Sequence, residues 1–527
     1  MIRRVQTRRL IRNAVQQMKT EFSVLLQLFG LGIPRSRFSR LQFNMPRAIS
    51  LIPILFAVVA FLAPIIASQA QPAQPIDVTS ANFAELLDDL ASNHQRGLGR
   101  DPDARNGYPA LLTACARYFE VAAARGRVDL TAIYDDGVIL PGGTHEDAVK
   151  AATDFLAELD RVGVFDRLDQ LATAPRVMRR RLDSPARDAD RAALGSTDKW
   201  NGNLMGAPLP EIQPIRELAR ACAARMHLAA TANDPEAFIR AFTQGLAISR
   251  AEFHQPMMID GMVGASVREL ILSRANADLV HLQLTAKQLD QLRASLDKQT
   301  DGLPPLDFAF RGERLAILDM CRWAFDSRGR LQPQRLVDAY LIARLPPKSD
   351  PMFEARRDAN VKQVEACYVD LLAGAAQPRA SRPDLDQILQ NRVAAGPPAD
   401  VVMLGYIGAS RRYLNTMDAA ALNLAGFRVV LAVEQFQRAA GRYPDSLDQV
   451  VAQGFLAQIP ADAITGTPIR YRTLNADEAK EHARAYLVYS VGADGVDDSG
   501  RPSPDPKSDA RFDAAAKGFD YVFNAVR

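Results

Sequence analysis

Residues 427–451 read F-R-V-V-L-A-V-E-Q-F-Q-R-A-A-G-R-Y-P-D-S-L-D-Q-V-V. G-F-L-A-Q-I-P-A-D follows at 454–462, T-G-T-P-I-R-Y-R at 465–472 and A-Y-L-V-Y-S-V-G-A-D-G-V-D-D-S-G at 485–500. Val429, Val433, Phe436 and Ala440 recur at spacings of four, three and four, which is one face of a helix. Gly441 suits the left-handed position that closes a helix, and Pro444 prevents resumption. A short second helix opens at Tyr443–Leu447, with Ser446 or Asp445 as its cap. Pro460 ends that segment. Ile469–Arg472, Tyr486–Tyr489 and Phe519–Phe523 are rich in β-branched and aromatic residues and predict strands. The expectation is a long helix packed on a small antiparallel sheet.

The order of these pieces (helix, G-R-Y-P-x-S-L, I-P-x-D, G-x-P-x-x-Y, Y-S-x-G-x-D-G) resembles the head domain of the major pseudopilin of type II secretion systems. The resemblance covers roughly the last quarter of the chain and implies the head's α+β fold. It departs from that family in three ways. A large helical region stands before the head, the glycine-then-F-T-L-I-E processing motif is absent, and Asp462-Ala463-Ile464 replaces the common D-P-W or D-P-F.

Asp494-Gly-Val-Asp497-Asp498-Ser-Gly500 is the strongest site in the sequence. Close carboxylates repel one another unless water or a cation neutralises them, and calcium prefers such hard oxygens. The pattern is not an EF-hand, because Val496 stands third and no Glu stands twelfth. In pseudopilins the loop after Y-S-x-G-x-D-G holds calcium, so the resemblance assigns a calcium site to Asp494, Asp497 and Asp498. The alternative is a solvated Asp/Gly turn.

Upstream, the chain of 527 residues has room for two or three domains, and its 48% hydrophobic content is that of a globular protein. Residues 1–47 hold nine Arg, one Lys and one Glu against a net charge of +3 overall, so the rest is net acidic. That argues against a nucleic-acid-binding body. Ile49–Ala67 is almost wholly apolar and long enough to cross a bilayer. Ser68-Gln69-Ala70 offers a small-x-small cleavage site. Residues 45–70 therefore read as a signal peptide or an uncleaved membrane anchor. Met45 is an alternative start, which would leave residues 1–44 as an untranslated basic stretch. If they are translated, the long basic head favours the anchor. Either reading sends the body out of the cytoplasm, to the periplasm or the outer face of the cytoplasmic membrane.

Residues 71–81 form a Pro/Gln linker, and 82–373 predict a mainly α body of helical hairpins. Ile212, Ile215, Leu218, Cys222 and Met226 share one face, and Phe238, Phe242 and Leu246 another. A third runs through Ile259, Met262, Val263, Ser266, Val267, Leu270 and Ile271. Asp234-Pro235 and Thr285–Gln288 mark helix starts. The stretch around Asp234–Arg274 is similar to uncharacterised exported bacterial proteins. Residues 173–210, with Arg176, Arg179, Arg180 and Arg181, read as an exposed loop whose arginines are solvated. Pro- and Gly-rich 374–400 reads as a linker to the pilin-like module at 401–527.

Known catalytic patterns are missing. His145-Glu146-Asp147 lacks the second histidine of a zinc helix and suits the first turn of a helix starting near Thr144. His254 suits local hydrogen bonding more than catalysis. There is no G-x-S-x-G, P-loop or G-x-G-x-x-G after a strand. Cys115, Cys222, Cys321 and Cys367 permit disulfides in an exported chain, but their apolar helical settings favour buried thiols, and no C-x-x-C exists. The expectation is an exported, non-enzymatic interaction or scaffold protein of the envelope. Its partners would be the membrane, through the apolar segment, and envelope proteins. The rival is an exported hydrolase with carboxylates in the helical body.

Overall fold

In the computed structural model, residues 76–97, 105–135, 144–198, 200–338, 341–408, 410–503, 511–512 and 517–524 are described. The expected basic extension, the signal or anchor segment with its Ala70 site, and residues 71–75 of the linker lie outside them. Among the described residues there are sixteen α-helices and three strands. The chain is mainly α: a large helical-hairpin body followed by a small α+β module.

The body begins with α1 (Phe83–Gly97), α2 (Tyr108–Arg125), α3 (His145–Arg161), α4 (Val164–Thr173) and α5 (Pro185–Ala193). Thr144 caps α3 and Asp147 returns the bond, so the His145-Glu146-Asp147 run is a helix start, as its composition predicts. Next come α6 (Ile212–Thr231), α7 (Pro235–Phe253) and α8 (Met258–Asp278), joined by short turns that fold them into antiparallel neighbours. Asp234 caps α7 with Pro235 behind it, and Thr285 with Gln288 forms a capping box on α9 (Ala286–Thr300). The sequence continues through α10 (Asp307–Ala324), α11 (Pro333–Asp338), α12 (Arg357–Ala375) and α13 (Leu385–Ala395). Helix α13 falls inside the Pro- and Gly-rich 374–400 stretch.

The apolar faces of α6 and α7 are buried as their spacing predicts: Ile215, Leu218, Cys222, Phe238, Phe242 and Leu246 all lie in one core. Helix α8 is turned differently. Ile259, Met262 and Leu270 are only half-buried and Ser266 is exposed, while Asp260, Val263, Val267, Ile271 and Leu272 face inward. The turn follows from an ion pair of Asp260 described below. All four cysteines are buried free thiols. Helix α10 presses so closely on the turn before α8 that a Cβ on Gly312 would lie 1.6 Å from the Pro256 carbonyl oxygen.

Helix α14 (Ser410–Ala440) belongs to both parts. Phe427 and Leu431 close the body core, with Phe427 5.7 Å from the Phe242 ring. Val429, Val430, Val433 and Phe436 carry the module core. Ala440, the last residue of the predicted face, is exposed. Gly441 takes φ +71°, the left-handed exit expected of it. The module continues with α15 (Leu447–Ala452), β1 (Arg470–Thr473), α16 (Ala476–His482), β2 (Tyr486–Ser490) and β3 (Tyr521–Val522). The sheet is antiparallel in the order β1-β2-β3, with Tyr471 opposite Val488 and Tyr489 opposite Val522. Every residue of β2 is buried, which explains its imperfect alternation. Tyr486 and Val488 face α14, and Leu487 and Tyr489 pack with Val522 on the other side. Residues Asp77–Arg527 form a single compact unit. Within it the Arg428 guanidinium reaches Asp297 at 3.1 Å, and Gln435 reaches Asp290 at 2.6 Å. Val402–Ala440 is long and apolar enough to cross a bilayer, yet 72% of its most apolar window is buried inside the protein.

Candidate functional site

The segment after α4 runs extended because its backbone is pinned from three sides. The Val177 N–H donates to Gln95, that of Met178 to Asn106 and that of Arg179 to Gln255. This holds the Arg179 side chain inward. The expectation of solvated arginines at 176–181 is therefore corrected for Arg179, whose side chain is only 7% exposed. Arg180 and Arg181 do lie at the surface, beside Asp190 and Asp183.

Arg179 is the centre of a buried ionic cluster. Its Nη1 and Nη2 meet the two Asp260 oxygens at 3.1 and 2.7 Å. Its Nε lies 3.0 Å from Glu211 Oε1 and donates to Tyr108 Oη at 3.0 Å. Glu252 Oε2 stands 3.6 Å from Nη2, and its Oε1 accepts the Tyr108 hydroxyl at 3.1 Å. Behind them Arg187 Nη2 bridges both Glu211 oxygens at 2.7 and 2.9 Å. The acids come from the start of α6, the end of α7 and the first turn of α8, and their side chains are wholly buried.

Three carboxylates against two guanidinium groups would leave a buried negative charge. Burial pushes Glu252 up to about 8, Asp260 and Glu211 add to the rise, and Arg179 opposes it. At neutral pH Glu252 then keeps its proton and the cluster is balanced. Asp260 is also raised, chiefly by burial. Next to it, burial pushes Glu313 up to about 7; its Oε1 accepts the Met258 N–H at 3.1 Å. His254 is fully buried nearby, its ring 5.3 Å from that of His94.

This is a convergence of acids such as a hydrolase would need, with the three acid side chains wholly buried among the described residues. A groove of about 480 Å³ and a hollow of about 260 Å³ are lined by other residues. The sequence carried one signal of the cluster. Asp260 stands at spacings of three, four and four before Val263, Val267 and Ile271, an acid on an apolar stripe.

The acidic loop lies between β2 and β3 and is shaped by left-handed residues Gly495, Ser499 and Gly500 at φ +71°, +59° and +74°. Asp497 Oδ1 accepts the Tyr489 hydroxyl and the Ser499 N–H, each at 3.0 Å, and its Oδ2 lies 3.8 Å from Arg470. Asp494 Oδ1 accepts the Val496 N–H. The second oxygens of Asp494 and Asp498 are buried without a hydrogen-bond partner among the described residues. A fourth acid, Asp520, approaches from the residue before β3 and is 2% exposed. Its Oδ2 accepts the Gly500 N–H at 2.6 Å, and its Oδ1 is likewise buried and has no hydrogen-bond partner among the described residues. Burial raises Asp520 to about 6 against the two loop N–H groups that lower it, with Asp497 and Asp498 adding to the rise. As placed, no three acidic, His or Cys groups among the described residues enclose an ion. Asp520 lies twenty-odd residues beyond the loop, so local spacing could not have revealed it.

No family model, curated protein or solved structure matches the chain.

Proposed function

We propose that this chain is an exported, non-enzymatic interaction or scaffold protein of the cell envelope, with a pseudopilin-like C-terminal module. The observation that carries the reading is the closure of the Arg179 cluster. Glu211 and Asp260 are matched to guanidinium groups and Glu252 to a proton, and among the described residues all three side chains are wholly buried. Such clusters fix the relative placement of helices at little net gain in stability. A long helix packed on a three-stranded antiparallel sheet, with the acidic loop after β2, supports the likeness of the module to a pseudopilin head.

Calcium is the cofactor proposed for the loop. Asp494, Asp497 and Asp498, together with Asp520, are hard oxygen donors, and three of their oxygens lack a partner among the described residues. An ion there would offset the repulsion among them and tie the loop to the strand that follows Asp520.

The test of export is an alkaline phosphatase reporter fused after Ala70, which becomes active only outside the cytoplasm. An inactive fusion recovered intact from the cytoplasm would overturn the localisation. The hydrolase reading is tested by screening the full chain on ester, amide and glycoside substrates beside Glu252→Gln. Turnover that disappears in that variant would replace the scaffold with an enzyme.

A further inference from the structure

The groove of about 480 Å³ lies away from both sites above. Its lining includes Ser266 of α8, Arg411, Arg412, Asn415 and Thr416 of the first turns of α14, and Arg511. Two acids, Glu269 and Asp386, also reach it. The volume is in the usual range for a small-molecule site.

The charges in the groove are unequally committed. Arg511 is held by Glu269 at 3.0 Å and lies over the Tyr521 ring. Asp386 accepts the Arg411 backbone N–H at 3.1 Å, so the α14 terminus already has its anion. The Arg411 side chain makes only a long contact of 3.4 Å with Asp384, and both partners are largely exposed. Such a pair is weak. Arg412, on the same face, has no ion-pair partner among the described residues. Two guanidinium groups with free donors therefore line the groove beside the Ser266 hydroxyl, while the Thr416 hydroxyl is taken, donating to the Arg412 carbonyl oxygen at 2.9 Å. Planar guanidinium forks match the paired oxygens of phosphate and carboxylate.

We infer that this groove binds a small oxyanion-bearing ligand, a phosphate or polycarboxylate, through Arg411 and Arg412. The Ser266 hydroxyl donates to one of its remaining oxygens. Glu269 and Asp386 make the groove selective, because they repel any anion too large to stay on the Arg411–Arg412 side. The inference is independent of the export reading.

Isothermal titration of the detergent-solubilised full chain with inorganic phosphate and with citrate, at matched ionic strength in chloride, reads the site directly. Saturable binding of either probe is expected, and the better one identifies the ligand chemistry. Arg412→Gln should weaken it about tenfold, the worth of one charge-assisted contact. Arg216→Gln, at an exposed arginine of α6, should not change it. Neither substitution removes a buried contact, so both variants should fold. Absence of saturable binding of both probes would overturn the inference, as would equal losses in the two variants.

Discussion

Arg179 and Asp260 form a two-point ion pair, at 3.1 and 2.7 Å, between an extended connection and the first turn of α8. The pair decides how α8 is turned. Burying Asp260 beside Arg179 brings Val263, Val267 and Ile271 inward and leaves Ser266 on the surface. Removing one partner would leave the other charge buried alone. Arg179→Met should therefore destabilise the protein by roughly 3–5 kcal/mol in urea unfolding. Adding Asp260→Leu should recover part of that loss. A cost below about 1 kcal/mol for the single change would mean that the acids are not held by Arg179.

Glu313 gives a pH dependence of defined sign. Its folded-state value is raised from 4.5 to about 7, so the folded protein binds a proton that the unfolded chain has released. The associated stability is fully present below pH 4.5 and is lost as pH rises through 7. The change across that window is roughly 3 kcal/mol. Glu313→Gln should flatten the dependence and melt higher than the parent above pH 7. Glu252, shifted in the same direction, leaves a residual slope up to about pH 8. Parallel stability–pH curves for parent and Glu313→Gln would contradict this.

Phe436 is 1% exposed between α14 and the module's short helix, edge-on to Phe455 at 6.4 Å. Phe436→Ala should cost roughly 3–5 kcal/mol, because the cavity it leaves is walled by helix and sheet. Chemical denaturation of the full chain measures it, and a loss below about 1 kcal/mol would mean the helix does not pack there.

Gly312 faces backbone, not a movable side chain. An added methyl group would stand 1.6 Å from the Pro256 carbonyl oxygen, and no rotamer change can relieve that contact. Gly312→Ala should force α10 away from the turn before α8 and lower stability by at least about 2 kcal/mol. A melting temperature unchanged from the parent would show that the two segments stand farther apart.

Calcium should raise the stability of the full chain by about 2.7 kcal/mol at a hundredfold excess over its dissociation constant. Magnesium should substitute poorly, since it needs a tighter octahedron and sheds water reluctantly. Replacing Asp497 and Asp498 together by Asn should abolish the response and stabilise the metal-free loop by reducing repulsion. Asp520→Asn should weaken the response although it lies outside the loop. Identical melting curves in millimolar calcium and in chelator would leave the loop a solvated turn.

Local rules in the sequence determined much of this molecule. Thr144, Asp234 and Thr285 start helices because their side chains satisfy free N–H groups within three residues. Gly441 ends one because it tolerates a left-handed backbone. Phe238, Phe242 and Phe436 are buried because their spacing places them on an apolar face. Only the tertiary structure decided what depends on distant partners. Arg179 looked like one solvated arginine among four, and it is buried because acids from three separate helices meet there. Asp260 interrupts an apolar face, and the charge that permits this lies 81 residues away. Asp520 joins the acidic loop across a gap of 20 residues through the Gly500 N–H. Hydrogen bonds within a turn leave a periodic trace in the chain, whereas charge compensation between elements leaves none, because its partners need only be close in space.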